Sequence, residues 1–168
     1  KPVPVVNHVT GERELFVQDE QNTIYLINDA GRVLWKVPAD GRINSEVYQV
    51  DLFKNGKLQY LFSTPTRMYL IDRNGNAAGR FPLTFRSRCE QGISVCDYDN
   101  NKNYRIFAPC ADREIYLYGL DGNLVKGWKP EKADKPIVSK VQHFRVGGKD
   151  YLVLADHYRM YILDGRGN

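Results

Sequence analysis

At 168 residues, 42% of them hydrophobic and 26% charged, the chain has the size and composition of one globular domain with a substantial core, and not those of a disordered segment. Its 24 basic and 20 acidic residues are interspersed, for a net charge of +4. This is not the concentrated basic stripe of a nucleic-acid binder, and no apolar run approaches the ~20 residues of a membrane-spanning helix. Eleven tyrosines and two tryptophans beside only two methionines favour strands over helices.

Four related phrases divide the chain: IYLINDAG, MYLIDRNG, IYLYGLDG and MYILDGRG. Their tyrosines are Tyr25, Tyr69, Tyr116 and Tyr161, and their glycines Gly31, Gly75, Gly122 and Gly167. A unit of about 45 residues built of short strands is the signature of a propeller blade. The expected fold is therefore all-β: a β-propeller fragment of about four four-stranded antiparallel blades, spanning residues 3–40, 43–86, 91–131 and 137–168 of one domain. No 3.6-residue period persists long enough for a helix.

In the first blade, Pro4 to Val9 supply strand a, Thr10-Gly11-Glu12 the first turn and Ala30-Gly31 the second. The second blade is the clearest. Strand a is expected over 46–52, b over 58–64, c over 68–72 and d over about 79–85. Each is a short run rich in β-branched and aromatic residues. Asn55-Gly56 is a hairpin signal, because both residues tolerate φ > 0, and Asn74-Gly75 repeats it. The third blade turns at Asn100-Asn101-Lys102 and Asp121-Gly122. The fourth has strand a over 137–146, b over 151–156 and c over 160–164, and the sequence ends inside the turn before strand d. This predicts a piece of a larger ring. The strand-c tyrosines read as core residues whose hydroxyls find backbone acceptors. Trp35, Phe81 and Trp128 mark strand d, each followed by a proline (Pro38, Pro82, Pro130), as suits an outer edge.

YLINDAGRVLWKVP resembles the repeat of quinoprotein-type (PQQ-like) propellers, in which a turn glycine is followed four residues later by a docking tryptophan, here Gly31 and Trp35. The aromatic lies six residues after the glycine in blades two and three. The family's Ala-x-Asp opening and its adjacent cysteine pair are absent. The resemblance implies the fold and not the redox activity. EVYQVDLFKNGKLQYLF and HFRVGGKDYLV are also similar to the propeller part of large bacterial envelope proteins, which implies an envelope or extracellular location.

Asp97, Asp99 and Asn101 alternate as in a calcium loop, a pattern that suits a hard cation, but Arg105 holds the place of a further acid. The competing reading is an Asx-rich turn, which needs no cofactor. Arg67, Arg113 and Arg159 recur just before strand c, and Arg86 and Arg88 lie in a d-to-a connection on the same expected face. That face suits an anionic ligand or protein patch, against the alternative of a solvated rim. Cys89 and Cys110 flank the third a–b hairpin evenly, so a disulfide that leaves Cys96 free is geometrically allowed. No GxSxG, HExxH or phosphate loop occurs.

The leading expectation is a non-catalytic scaffold presenting a loop face to a protein or glycan partner. The alternative is part of an enzyme, a quinone-dependent redox or carbohydrate-active propeller whose site lies in further blades. Self-association is also expected, through end-blade faces assigned Val5, Phe16, Tyr25, Leu152 and Tyr161.

Overall fold

A computed structural model describes all 168 residues. The chain contains no helix and folds into four small antiparallel sheets, each of consecutive strands and each a propeller-like blade. Blade one is β1 (Val3–Val6), β2 (Arg13–Gln18), β3 (Thr23–Ile27) and β4 (Val33–Pro38). Blade two is β5 (Tyr48–Val50), β6 (Gln59–Ser63), β7 (Arg67–Ile71) and β8 (Leu83–Thr84). Blade three is β9 (Ser94–Cys96), β10 (Arg105–Pro109) and β11 (Ile115–Gly119). Blade four is β12 (Gln142–Val146), β13 (Lys149–Ala155) and β14 (Met160–Asp164).

The turn after strand c is built the same way in every blade. The amides of Gly31, Gly75, Gly122 and Gly167 donate to the carbonyls of Asn28, Asp72, Gly119 and Asp164. All four glycines have φ between +76° and +92°. An L side chain resists that conformation, which is why glycine recurs there. At the a–b turn of blade two, positive φ falls on Lys54 and Gly56, and Asn55 does not share it.

Strand d departs from expectation in two blades. In blade two the ladder breaks after the bridge Ile71–Ala77 and resumes only at Leu83–Thr84. Between them Phe81 turns its ring into the core, and Pro82 has no N–H to donate. In blade three only the bridge Tyr118–Leu124 forms, and no strand runs through Gly127-Trp128. There the Trp128 indole N–H donates to the Ile115 carbonyl at 2.7 Å, a side-chain bond to the strand-c backbone.

Three apolar layers lie between successive blades. Phe16 and Leu26 of blade one meet Tyr60, Phe62, Tyr69 and Ile71 of blade two. Leu61, Met68 and Leu70 of blade two meet Ile106, Ala108 and Tyr118 of blade three. Phe107, Ile115 and Leu117 of blade three meet Leu152 and Leu154 of blade four. Alternation along each strand feeds one face to the preceding blade and the other to the following one. A side chain from the d segment also covers the next blade's turn glycine. Trp35 lies over Gly75, Leu83 over Gly122 and Trp128 over Gly167. The Trp35 indole N–H then donates to the Arg73 carbonyl at 2.7 Å.

The expected end faces are corrected by this alternation. Val5, Phe16 and Leu152 are buried against neighbouring blades, and Tyr161 packs in the layer between blades three and four. The open face of blade one carries Leu15, Tyr25, Ile27 and Val33, and that of blade four carries Phe144, Val153, Met160 and Ile162. A strand's side chains alternate between faces, so an assignment displaced by one residue selects the wrong set.

Candidate functional site

The loops between strands b and c lie beside the connections between strands d and a, and together they form one face of the molecule. Hydrogen bonds run from Ala39 to Asn22, Cys89 to Pro65, Ala111 to Arg88 and Ala133 to Arg113, each amide donating to a carbonyl of the neighbouring loop. The strand-c tyrosines organise this face. Their hydroxyls do not end on backbone carbonyls, as the sequence suggests, but donate to carboxylates. Tyr25 donates to Asp19 at 2.9 Å, Tyr69 to Asp40 at 3.0 Å, Tyr116 to Asp112 at 2.7 Å and Tyr161 to Asp156 at 2.8 Å.

Each carboxylate also gathers the loop around it. Asp156 accepts from the amides of Tyr158, Arg159 and Lys135. The Tyr158 amide contributes most, and with the other donors it outweighs burial and lowers the carboxyl to about 2. Asp19 is lowered chiefly by the Thr23 amide. Burial pushes Asp40 upward, but the hydroxyls of Thr66, Thr64 and Tyr69 and the charge of Arg67 leave it below the ordinary value. Burial and the neighbouring Asp112 raise the Tyr116 phenol to about 12. Asp19, Asp40 and Asp156 are thus held as anions, and all four tyrosines as donors.

In blades one, three and four the aspartate precedes its tyrosine by four to six residues. Blade two has Thr64 in that stretch, and Asp40 reaches over from the preceding connection to replace it. The recurring Asp before strand c was a readable signal in three blades. The substitution by Asp40 had none, since it comes from another blade's connection.

The five arginines all reach this face, each with a partner. Arg67 lies 3.5 Å from Asp40, and Arg88 lies 2.7 Å from Glu90. Arg113 donates to the Asp134 carbonyl at 3.1 Å, and Arg159 pairs with the Asp134 carboxylate, so one connection brings these two together. Arg86 sits 5.9 Å from the centre of the Tyr116 ring. Arg67, Arg88 and Arg159 remain 46%, 60% and 67% exposed. Beside Arg67, a cleft of about 370 Å³ opens between blades one and two, with Pro38, Leu70 and Pro82 in its wall and Asp40 and Tyr69 at its polar end.

On the opposite face, Asp97 accepts from the amides of Asn101 at 3.1 Å and Lys102 at 2.8 Å, and Asn101 accepts from the Asn103 amide at 2.9 Å. Asp51 holds the equivalent turn of blade two in the same way, through Asn55 and Gly56. These bonds are those of Asx turns. No three His, Cys, Asp or Glu side chains converge on a metal position. Cys89 and Cys110 meet with Cα atoms 4.0 Å apart and sulfurs at bonding distance, while Cys96 stands apart, its thiol raised to about 11 chiefly by burial.

No protein-family model matches the chain, and no curated protein matches it in sequence. Among solved structures it is similar to BBS1N, crystallised in complex with ARL6DN, with a TM-score of 0.64 and 11% identity over 99% of this chain and 53% of that one. It is also similar to a protein of unknown function from Bacteroides caccae, with a TM-score of 0.51 and 14% identity over 99% of this chain and 66% of that one. The chain thus spans about half the length of BBS1N. At these identities the likeness shows the fold alone, an all-β, propeller-like architecture. No helix is long and apolar enough to cross a membrane.

Proposed function

We propose that the chain is a non-catalytic propeller scaffold of quinoprotein-type repeats whose loop face binds a protein partner. One observation carries the reading: the exposed arginines Arg67, Arg88 and Arg159 stand on loops that tyrosine–aspartate pairs and cross-loop amides hold in place. Binding through such a surface orders little that is not already ordered, so less interaction energy is lost to entropy. Arginine is the charged residue most enriched where single side chains dominate an interface. The crystallised complex of BBS1N with ARL6DN supports a partner-binding role by structural likeness.

The titratable groups also favour a scaffold over an enzyme. A general acid or base works with a pKa near the operating pH. The shifted aspartates of this face, Asp19, Asp40 and Asp156, are all lowered, away from neutrality. The Cys96 thiol is raised to about 11, opposite to the shift an activated nucleophile needs. The reading calls on no cofactor, because Asp97 and Asn101 commit their oxygens to turn amides. It extends to location: a Cys89–Cys110 bridge belongs in an oxidising compartment, the cell envelope or exterior.

The test is site-specific photocrosslinking in the native host. A photoreactive residue replacing Arg88 is expected to capture a protein, and one replacing Lys57 on the opposite face is not. Combined Arg67→Gln and Arg159→Gln should abolish the capture while circular dichroism shows the fold retained. Equal capture from both faces, or capture of a glycan in place of a protein, would overturn the reading.

A further inference from the structure

On the face opposite the arginine loops, a cleft between blades two and three collects positive charge that the fold does not use. Its volume is about 430 Å³, and it lies where the a–b turns of the two blades meet the c–d turn of blade three. Lys54, Lys102, Tyr104 and Arg105 line it, together with the apolar Leu52 and Leu124. Both blades are flanked by further blades of this chain, so the cleft is interior to the row.

Hydrogen bonds across the junction tie its walls together. Lys54 Nζ donates to Asn103 Oδ1 at 2.7 Å, Lys102 Nζ to Asp51 Oδ2 at 2.6 Å and Arg80 Nη1 to Asn123 Oδ1 at 2.6 Å. The Asp51 amide donates to the Tyr104 hydroxyl at 3.3 Å. These bonds use up the acceptors. Asp51 also accepts from the amides of Asn55 and Gly56, and both oxygens of Asp121 accept from Asn123. The donors are not used up. Arg105 forms no ion pair. The Tyr104 hydroxyl accepts a bond and leaves its own proton undonated. Lys102 remains 44% exposed, with N–H groups to spare beyond its bond to Asp51. Four cations, Lys54, Arg80, Lys102 and Arg105, stand in or beside the cleft against two carboxylates, those of Asp51 and Asp121. The hydrogen bond to Asp51 raises the Lys102 pKa, which keeps that charge in place.

The backbone gives a second, independent sign. Lys54 and Lys102 hold φ of +53° and +63°. Left-handed backbone is uncommon in residues other than glycine, asparagine and aspartate, and it concentrates where a site needs a side chain in one place. Here it falls on lysines of two adjacent a–b turns, while their neighbours Asn55 and Asn101 do not share it. Arg105 is also the residue that interrupts the acidic alternation of Asp97, Asp99 and Asn101. The side chain that speaks against a cation in that turn supplies an anion site beside it.

We infer that this cleft binds a phosphate monoester carried on an apolar body. A dianion matches the two cations left over once each carboxylate is set against one, and Arg105 supplies the planar fork of donors that phosphate oxygens accept from. Leu52 and the exposed Leu124 offer a surface to the apolar part. The site shares no residue with the loop face and stands whether or not that face binds a protein.

The test is titration of the isotope-labelled 168-residue chain with phenyl phosphate, followed through amide chemical shifts. Saturable shifts are expected at Lys54, Asn103, Arg105 and Leu124, and none at Arg88 on the loop face. Arg105→Gln should weaken binding about tenfold, the loss of one charge-assisted contact. Lys54→Gln should weaken it as well, and Lys149→Gln, in the a–b turn of blade four, should leave it unchanged. Spectra that keep their dispersion establish that each variant is folded. Benzoate, with the same ring and a single charge, should bind more weakly. Vesicles containing phosphatidic acid identify the source: competition with phenyl phosphate assigns the ester to a lipid headgroup, and no competition assigns it to a soluble molecule. The inference is overturned by the absence of saturable shifts at millimolar ligand, or by shifts confined to residues outside the cleft. It is equally overturned by benzoate that binds as tightly as phenyl phosphate, or by folded Arg105→Gln and Lys54→Gln chains that bind like the parent.

Discussion

Gly75 offers the sharpest quantitative test of how the blades are joined. It combines two demands that can be separated by substitution. Its φ is +87°, and a Cβ added there would lie 2.9 Å from Cγ of Trp35 and 3.1 Å from Cδ2. Alanine at this site loses about 1–2 kcal/mol to the left-handed backbone. It must also push the indole aside. That threatens the Trp35–Arg73 hydrogen bond, about 1 kcal/mol. It also disturbs the edge-on contact of Trp35 with Phe16, at most about another 1 kcal/mol. Gly75→Ala should therefore lose about 2–4 kcal/mol in all. Gly31→Ala is the backbone control, since its φ is +76° and nothing approaches its Cβ position, so about 1–2 kcal/mol is expected. Gly41→Ala meets only Thr64 at 3.8 Å and has no left-handed backbone, and it should stay within about 0.5 kcal/mol of the parent. Urea unfolding gives the three values, and thermal melting follows at about 2–4 °C per kcal/mol for a chain of this length. Equal losses at Gly31 and Gly75 would refute the reasoning, because the docked indole would then contribute nothing.

Acid should destabilise the chain through the carboxylates beneath the tyrosines. The folded pKa of Asp156 is lowered, to about 2 from an ordinary 3.8, so its contribution is complete above pH 3.8 and disappears as pH falls through 2. Asp156→Asn should flatten the melting temperature over that window, and a profile identical to the parent's would count against the Tyr161–Asp156 pair. Across the first junction, Glu14 of blade one is buried beside Arg73 of blade two at 2.5 Å, so Arg73→Met should cost about 3–5 kcal/mol by leaving Glu14 without its cation. Glu14→Gln combined with Arg73→Met should recover most of it, and a double-mutant cycle in urea that shows no coupling would remove the pair from the account of the first junction. Peptide mapping without reductant should find Cys89 linked to Cys110, and Cys96 should alkylate roughly a hundredfold more slowly than an ordinary thiol at mildly alkaline pH. Three thiols that alkylate freely in protein prepared under oxidising conditions would exclude the bridge.

The architecture was legible because the same side-chain demands recur. Each blade needs a positive-φ residue after strand c and an aromatic donor on it, and the sequence repeats Gly and Tyr at those places. Strand d was less legible, since its ladder is interrupted around Phe81 in blade two and is replaced in blade three by a single bridge and the Trp128 side chain. The end faces are hard to read for a related reason. Strands b and c are apolar on both sides, so the composition of Phe16 and Leu15 does not tell which one looks outward. Of the loop face, the arginines were visible, but their partners were not. Asp40 and Asp134 share an Ala-Asp step in their d-to-a connections, but only folding shows that both amides meet the next blade's strand-c tyrosine and that the carboxylates reach Arg67 and Arg159.

The layered joining of blades has a consequence for how the molecule opens. Each layer is shared by two neighbours alone, so stability is distributed along a line, as in other repeat proteins. β6 is buried at all five residues and β10 at four of five, with a layer on either side, whereas β12 is half-buried to exposed throughout and β14 alternates between the two. Blade four should therefore detach first and blades two and three last. Amide protons of Leu61, Phe62, Ile106 and Phe107 should exchange with solvent at the rate of global unfolding, while those of β14 exchange through a local opening of much lower energy. Blades that share one plan then come apart in a set order, which follows how much of each is covered by its neighbours.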